Sequence, residues 1–164
     1  MSLNNAKMNA WDAVSGSMAE CIITIEGKKY NFMQLIDFEA TIEKTKKEIP
    51  ILGRTVKGHK TTAWEGKFKG KAHYNQSVLR KLLSKYNAKA LDTYFEIMIT
   101  NEDDTGKGYV HKQTVILKDC NLNGGVLTKF DVNADFLEED IEGTFDNFEI
   151  NPGFSQISGM VITN

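Results

Sequence analysis

Two long segments of alternating polarity, residues 30–44 and 60–74, constrain what this chain can fold into more than any other feature. In the first, Ile36, Phe38, Ala40 and Ile42 share one face while Asp37, Glu39, Thr41 and Glu43 share the other, the period-two pattern of a half-buried strand. In the second, Trp64, Phe68, Ala72 and Tyr74 alternate with Glu65, Lys67, Lys69, Lys71 and His73. Gly66 and Gly70 fall on its apolar face, where a close neighbour fits. A carboxylate row facing a lysine row favours antiparallel pairing by roughly a few tenths of a kcal/mol per pair. A strand of about fifteen residues spans roughly 50 Å, whereas a compact chain of this length is about 40 Å across. The hairpin must bend sharply or project beyond its own core. A projecting hairpin with an apolar face calls for cover by another chain.

At 164 residues and 41% hydrophobic, the chain is long enough for one sizeable core, and a single domain over residues 1–164 is expected. No apolar run approaches a membrane span, and the N-terminus lacks a basic region followed by an apolar one, so neither a secretory signal nor a membrane anchor is expected. This points to assembly in the cytoplasm. Cys21 and Cys120 each lie in an apolar, strand-like run and read as buried free thiols rather than a disulfide.

The formal charge of -2 conceals an asymmetry: all 20 basic residues lie within 1–129, whereas 130–164 holds eight acids and no basic residue. Those acids, among them Glu138, Glu139, Asp140 and Glu142, are interleaved with Phe136, Leu137, Ile141, Phe145 and Phe148, so they belong to folded structure. Two readings stand side by side. The acids pair internally with the lysine strand, or they form subunit contacts complementary to basic surfaces on other copies.

Along the chain, residues 1–18 read as an N-terminal arm, 21–25 as a short strand, and 26–29 as a turn before the long strand. One amphipathic helix is predicted over 76–90, with Val78, Leu79, Leu82, Leu83, Tyr86 and Ala90 as its apolar stripe and Asn75 or Ser77 as its N-cap. Strands follow at 93–100 and 109–118 around the loop 101–108, and further strand candidates at 143–150 and 157–162.

Tests for chemistry are negative. Residues 53–61 nearly spell a phosphate-binding loop, but His59 separates Gly58 from Lys60 and a strand pattern follows where a helix is required. His59, His73 and His111 lack zinc-ligand spacing, and Asp103 and Asp104 lack the ligand series of a calcium loop. There is no nucleophile elbow and no dinucleotide fingerprint. Neither enzymatic activity nor a cofactor or metal is expected.

Several fragments together resemble a known family. They are Ser15-Gly16-Ser17 leading to Glu20, Gly27 in the first turn, and Lys47-Glu48-Ile49-Pro50 closing the alternating strand. Gly53, then Gly66-Lys67-Phe68-Lys69-Gly70, one helix, and Phe145-Asp146-Asn147-Phe148-Glu149 follow in order. Over roughly residues 14–150 the chain resembles the tail tube proteins of contractile phage tails, of the type found in defective Bacillus prophages, related Clostridium phages and phage-tail-like bacteriocins. The resemblance implies a mainly β, α+β subunit: an antiparallel β-sandwich or barrel with one flanking helix and a long projecting hairpin loop. It implies six-membered rings stacked into a hollow tube inside a sheath, with a baseplate or tube initiator and a tape measure protein as further partners. DNA would pass through without specific binding, or the tube would perforate an envelope. The stretch 46–58, with Lys46, Lys47, Ile49, Pro50, Leu52, Arg54 and Lys57, then looks like an inter-ring loop, and Asp37, Glu39, Thr41 and Glu43 like a lumen face. The alternatives are a monomeric β-sandwich binding module and a tube protein of a secretion-system type.

Overall fold

The structure, a computed structural model, describes residues 7–89, 91–103, 111–157 and 160. Strand β1 (Ala19–Ile25) buries Cys21, Ile23 and Ile25 on one face. It turns through Glu26 and Gly27, both at positive φ (50° and 79°), into β2 (Lys28–Asn31). That pair of left-handed residues is the two-residue hairpin turn whose twist matches the flanking strands. The turn is therefore shorter than the expected 26–29, and the strand after it is brief. Phe32 and Gln34 are buried, and the Phe32 N–H bonds to the Cys21 carbonyl at 2.8 Å. This inward step separates β2 from the long strand β3 (Leu35–Ile49).

Strand β3 pairs antiparallel with β4 (Gly58–His73) from Leu35↔Ala72 to Ile49↔Gly58, with irregularities after Leu35 and after Thr45. Strand pairing thus extends into the stretch expected to be a loop, and only 50–57 remains as the connection. Pro50 ends the ladder because it has no N–H to donate, and Gly53 supplies the turn's positive φ of 78°. The two halves of this hairpin differ. From Gly66 to Ala72 the even residues of β4 are buried, whereas residues 41–57 and 59–65 are exposed on both faces. The distal half is a two-stranded ribbon that leaves the body of the subunit.

Helix α1 (Val78–Lys89) begins from the Ser77 carbonyl, which accepts the Lys81 N–H at 3.0 Å, and buries Leu79 and Leu82. Strands β5 (Phe95–Asp103) and β6 (His111–Leu122) form an antiparallel pair. Of the expected loop 101–108, Asn101–Asp103 is strand, and 104–110 lies outside the described residues. The late acidic segment forms β7 (Glu138–Phe145) and β8 (Asn147–Ile150) rather than one strand over 143–150. At Asp146, whose N–H bonds to the Lys118 carbonyl at 3.2 Å, pairing with β4 has ended and the chain continues along β6, which already pairs with Gly143 and Thr144. Of the expected strand 157–162, Ile157 and Met160 are not in a strand and the other four residues lie outside the described set.

All described pairings are antiparallel, and the sheet order is β2-β1-β5-β6-β7-β4-β3, with β8 also on β6. The sheet folds over one apolar core: Phe68 of β4 meets Phe95 of β5 edge-on at 6.4 Å between ring centroids, and Ile23, Ile97, Leu117, Ile141, Leu79 and Leu82 fill in around them. This is the expected mainly β architecture with one flanking helix. Cys21 and Cys120 lie in the core as free thiols. The N-terminal arm is tied down where the Ser15 N–H donates to the Asp103 carboxylate at 2.8 Å.

Candidate assembly surfaces

The register of β3, β4 and β7 determines which side chains share the outer face. Asp37 opposes Lys71, which opposes Asp140; Glu39 opposes Lys69, which opposes Glu142; Thr41 opposes Lys67, which opposes Thr144. Glu43 opposes Glu65, and His73 opposes Glu138. The lysine row therefore stands between two rows of acids, so the face is acidic in balance despite Lys67, Lys69 and Lys71. Lys71 lies 4.0 Å from Glu138 and Lys67 3.9 Å from Glu65. Solvent-exposed pairs of this kind contribute about 0–1 kcal/mol each, so the face matters more for its field than for stability.

Glu139 lies on the opposite side of β7 from its neighbours Glu138 and Asp140. It points to the interior, where its carboxylate accepts from the Arg80 guanidinium of α1. Arg80 also donates to the carbonyls of Gln76 and Val126 and lies over the Tyr74 ring at 4.4 Å. This residue thus clamps the helix to the sheet within one subunit, while Glu138, Asp140 and Glu142 remain on the outer face. Arg80 lies outside the predicted apolar stripe of the helix, so periodicity gives no sign of this role; the Glu139 that anchors it comes from a strand far away in the chain.

The ribbon carries Lys46, Lys47 and Ile49 in its β3 arm and Pro50, Leu52, Arg54 and Lys57 in its turn. Lys47 lies directly opposite Lys60. Partial compensation comes from Glu48, 3.6 Å from Lys57 and 3.9 Å from His59. Leu52 is 102% and Val56 75% exposed, so the turn presents apolar side chains among cations. At the ribbon's root Trp64 packs against Phe145 and Phe148, with centroids 6.3 and 5.8 Å away.

Among the described residues no cluster of His, Cys, Asp and Glu could hold a metal ion, and no helix is long and apolar enough to cross a membrane. Burial pushes both thiols up to about 12, which keeps them protonated and unreactive at neutral pH.

A family profile described as phage tail tube protein matches residues 6–151. The Bacillus subtilis (strain 168) phage-like element PBSX protein XkdM is 32% identical over 114 residues, covering 69% of this chain and 76% of that protein. Among solved structures, a chain of the anti-feeding prophage baseplate superposes with a TM-score of 0.60 at 10% identity, covering 84% of this chain and 94% of that one. A chain of an extracellular contractile injection system, the PVC sheath-tube complex in its extended state, gives 0.59 at 12% identity, covering 80% and 87%. At these identities the structural likenesses speak to the fold.

Proposed function

The chain belongs to the phage tail tube protein family, a structural and non-enzymatic family, and from that premise we propose that it is the tube subunit of a contractile phage tail or phage-tail-like particle. Six copies close into a ring, rings stack into a hollow tube, and a sheath surrounds it. A baseplate or initiator starts the tube, and a tape measure protein sets its length.

The observation that carries this reading is the open edge of β3. Fifteen residues of strand end the sheet on this side with no neighbour among the described residues, and the distal half is exposed on both faces. An edge that long is a template for pairing, and closing sheets around a ring removes it. In the ring, the acidic outer face of β3, β4 and β7 lines the lumen, with Asp37, Glu39, Thr41 and Glu43 as its rim row. A wall that is acidic in balance repels phosphate and lets DNA pass. The ribbon, with Lys46, Lys47, Ile49, Pro50, Leu52, Arg54 and Lys57, reaches the adjacent ring. The contact is heterologous, so its repetition propagates along an axis.

Negative-stain electron microscopy of the concentrated full chain, with native mass spectrometry, tests the reading. Six-membered rings or hollow tubes of uniform width are expected. A protein that stays monomeric at millimolar concentration, with no rings by either method, overturns it in favour of a monomeric module.

A further inference from the structure

The ribbon's turn and the segment 127–138 occupy opposite ends of the same strand. Strand β4 runs from Gly58, beside the turn, to His73, and β7 joins it at its far end, where His73 pairs with Glu138. The segment preceding Glu138 is held at that end by the Tyr74 N–H, which donates to the Leu137 carbonyl at 3.0 Å. A sixteen-residue strand at about 3.3 Å per residue puts the two ends roughly 50 Å apart.

The two ends are complementary. At the turn, Leu52 and Val56 stand out among Lys46, Lys47, Arg54 and Lys57. At the far end Phe130, Val132 and Phe136 are 86, 89 and 79% exposed, an unusual cost for large apolar side chains left in water. They are interleaved with Asp131 and Asp135 and followed by Glu138; the one cation there, Lys129, donates to the Glu138 carbonyl at 2.9 Å. We infer that the segment 127–138 is the receptor for the ribbon turn of a second copy of this chain in the adjacent ring. Apolar side chains of the turn cover Phe130, Val132 and Phe136, and its cations face Asp131 and Asp135. Because donor and receptor lie at opposite ends of one strand, each copy offers one and accepts one, and stacking proceeds head to tail without limit. The inference rests on the tube reading and names the contact by which rings add.

Two pairs of substitutions test it. R54E/K57E reverses the turn, and D131K/D135K reverses the receptor. Each variant alone should form rings and raise the critical concentration for tubes at least about tenfold, since like charges now meet at every step. Mixing the two should restore tubes, because each turn again meets a receptor of opposite sign. Independently, Leu52→Cys with Phe136→Cys should give a covalent ladder on oxidation of tubes, while Leu52→Cys alone gives none; the native thiols are buried. D131K/D135K protein that polymerises as the unmodified chain does, with no ladder from the double-cysteine variant, overturns the receptor while leaving the tube intact. Absence of both rings and tubes from the unmodified chain defeats the tube reading itself.

Discussion

Gly143 on β7 and Phe68 on β4 are cross-strand partners with no room for a methyl group between them: a Cβ on Gly143 would stand 2.4 Å from the Phe68 ring and 2.3 Å from the Asn121 carbonyl oxygen. The relationship is reciprocated two residues on, where Gly66 opposes Phe145 and an added Cβ would meet that ring at 2.5 Å. Each ring lies over the glycine of the other strand, so β4 and β7 approach closely while burying two aromatics.

Gly143→Ala should therefore destabilise the subunit by about 1–3 kcal/mol, the usual cost of overpacking a filled core. One obstacle is a backbone oxygen and the other a ring only 2% exposed, so neither can yield cheaply. Gly124→Ala, which meets nothing within 4 Å, is the control and should be nearly neutral. Urea midpoints of the two variants, at unchanged slope, check the contrast.

The Arg80 clamp gives a second expectation. Arg80→Ala strands the Glu139 carboxylate, whose side chain is 11% exposed, against the core. Breaking a fully buried pair costs about 3–5 kcal/mol, and partial exposure here lowers that to about 2. Removing both charges with Arg80→Met and Glu139→Gln should restore much of the loss, as read by a double-mutant cycle in urea. A double-variant loss equal to the sum of the two single-variant losses would show that the pair contributes nothing.

The long hairpin was legible because its charge rows and apolar rows each keep period two, and the observed register opposes Asp37 to Lys71 and Glu39 to Lys69. The helix was legible from its stripe, its observed start falling two residues inside the predicted one. What the sequence could not show was the third row. Asp140 and Glu142 join the lysines through pairing of β7 with β4, and no local pattern reveals a partner some seventy residues away. The same distance hid the inward turn of Glu139, since period two places it only once the strand's start is known. The split between β7 and β8 was missed because Asp146 looks like one more polar residue in an alternating run, whereas pairing with β4 stops at Phe145 and only the pairing with β6 continues beyond it. Residues 46–49 looked like a loop because cations crowd there; the ladder to Gly58 extends through them regardless.

Stability should fall in alkali in a way that depends on the thiols. Burial raises Cys21 and Cys120 from their ordinary 9.0 to about 12. Below pH 9 both the folded and unfolded chains keep these protons, so the thiols add no pH dependence. Between about 9 and 12 the unfolded chain loses them first, so it binds fewer protons than the folded one and unfolding becomes easier as pH rises. The C21A/C120A variant, though less stable at neutral pH, should show a shallower decline in urea midpoint from pH 8.5 to 10.5. An identical decline would show that the thiols are not its source.

The outer face yields the last prediction, which tests the proposed lumen. Glu43 faces Glu65 directly, and like charges opposed across two strands are unfavourable by roughly 0.2–1 kcal/mol. Glu43→Lys removes that repulsion, so the isolated subunit should become slightly more stable, read as a small rise in urea midpoint. In the tube, the same substitution repeats around every ring and places cations on the wall that the proposal makes acidic. Genome delivery, or bactericidal titre where the particle carries no genome, should fall although tubes still form. The loss should shrink as ionic strength rises, because phosphate contacts weaken with salt. Stable tubes with undiminished delivery at low salt would place Glu43 away from the lumen, and would leave its repulsion with Glu65 to be explained by a contact between copies.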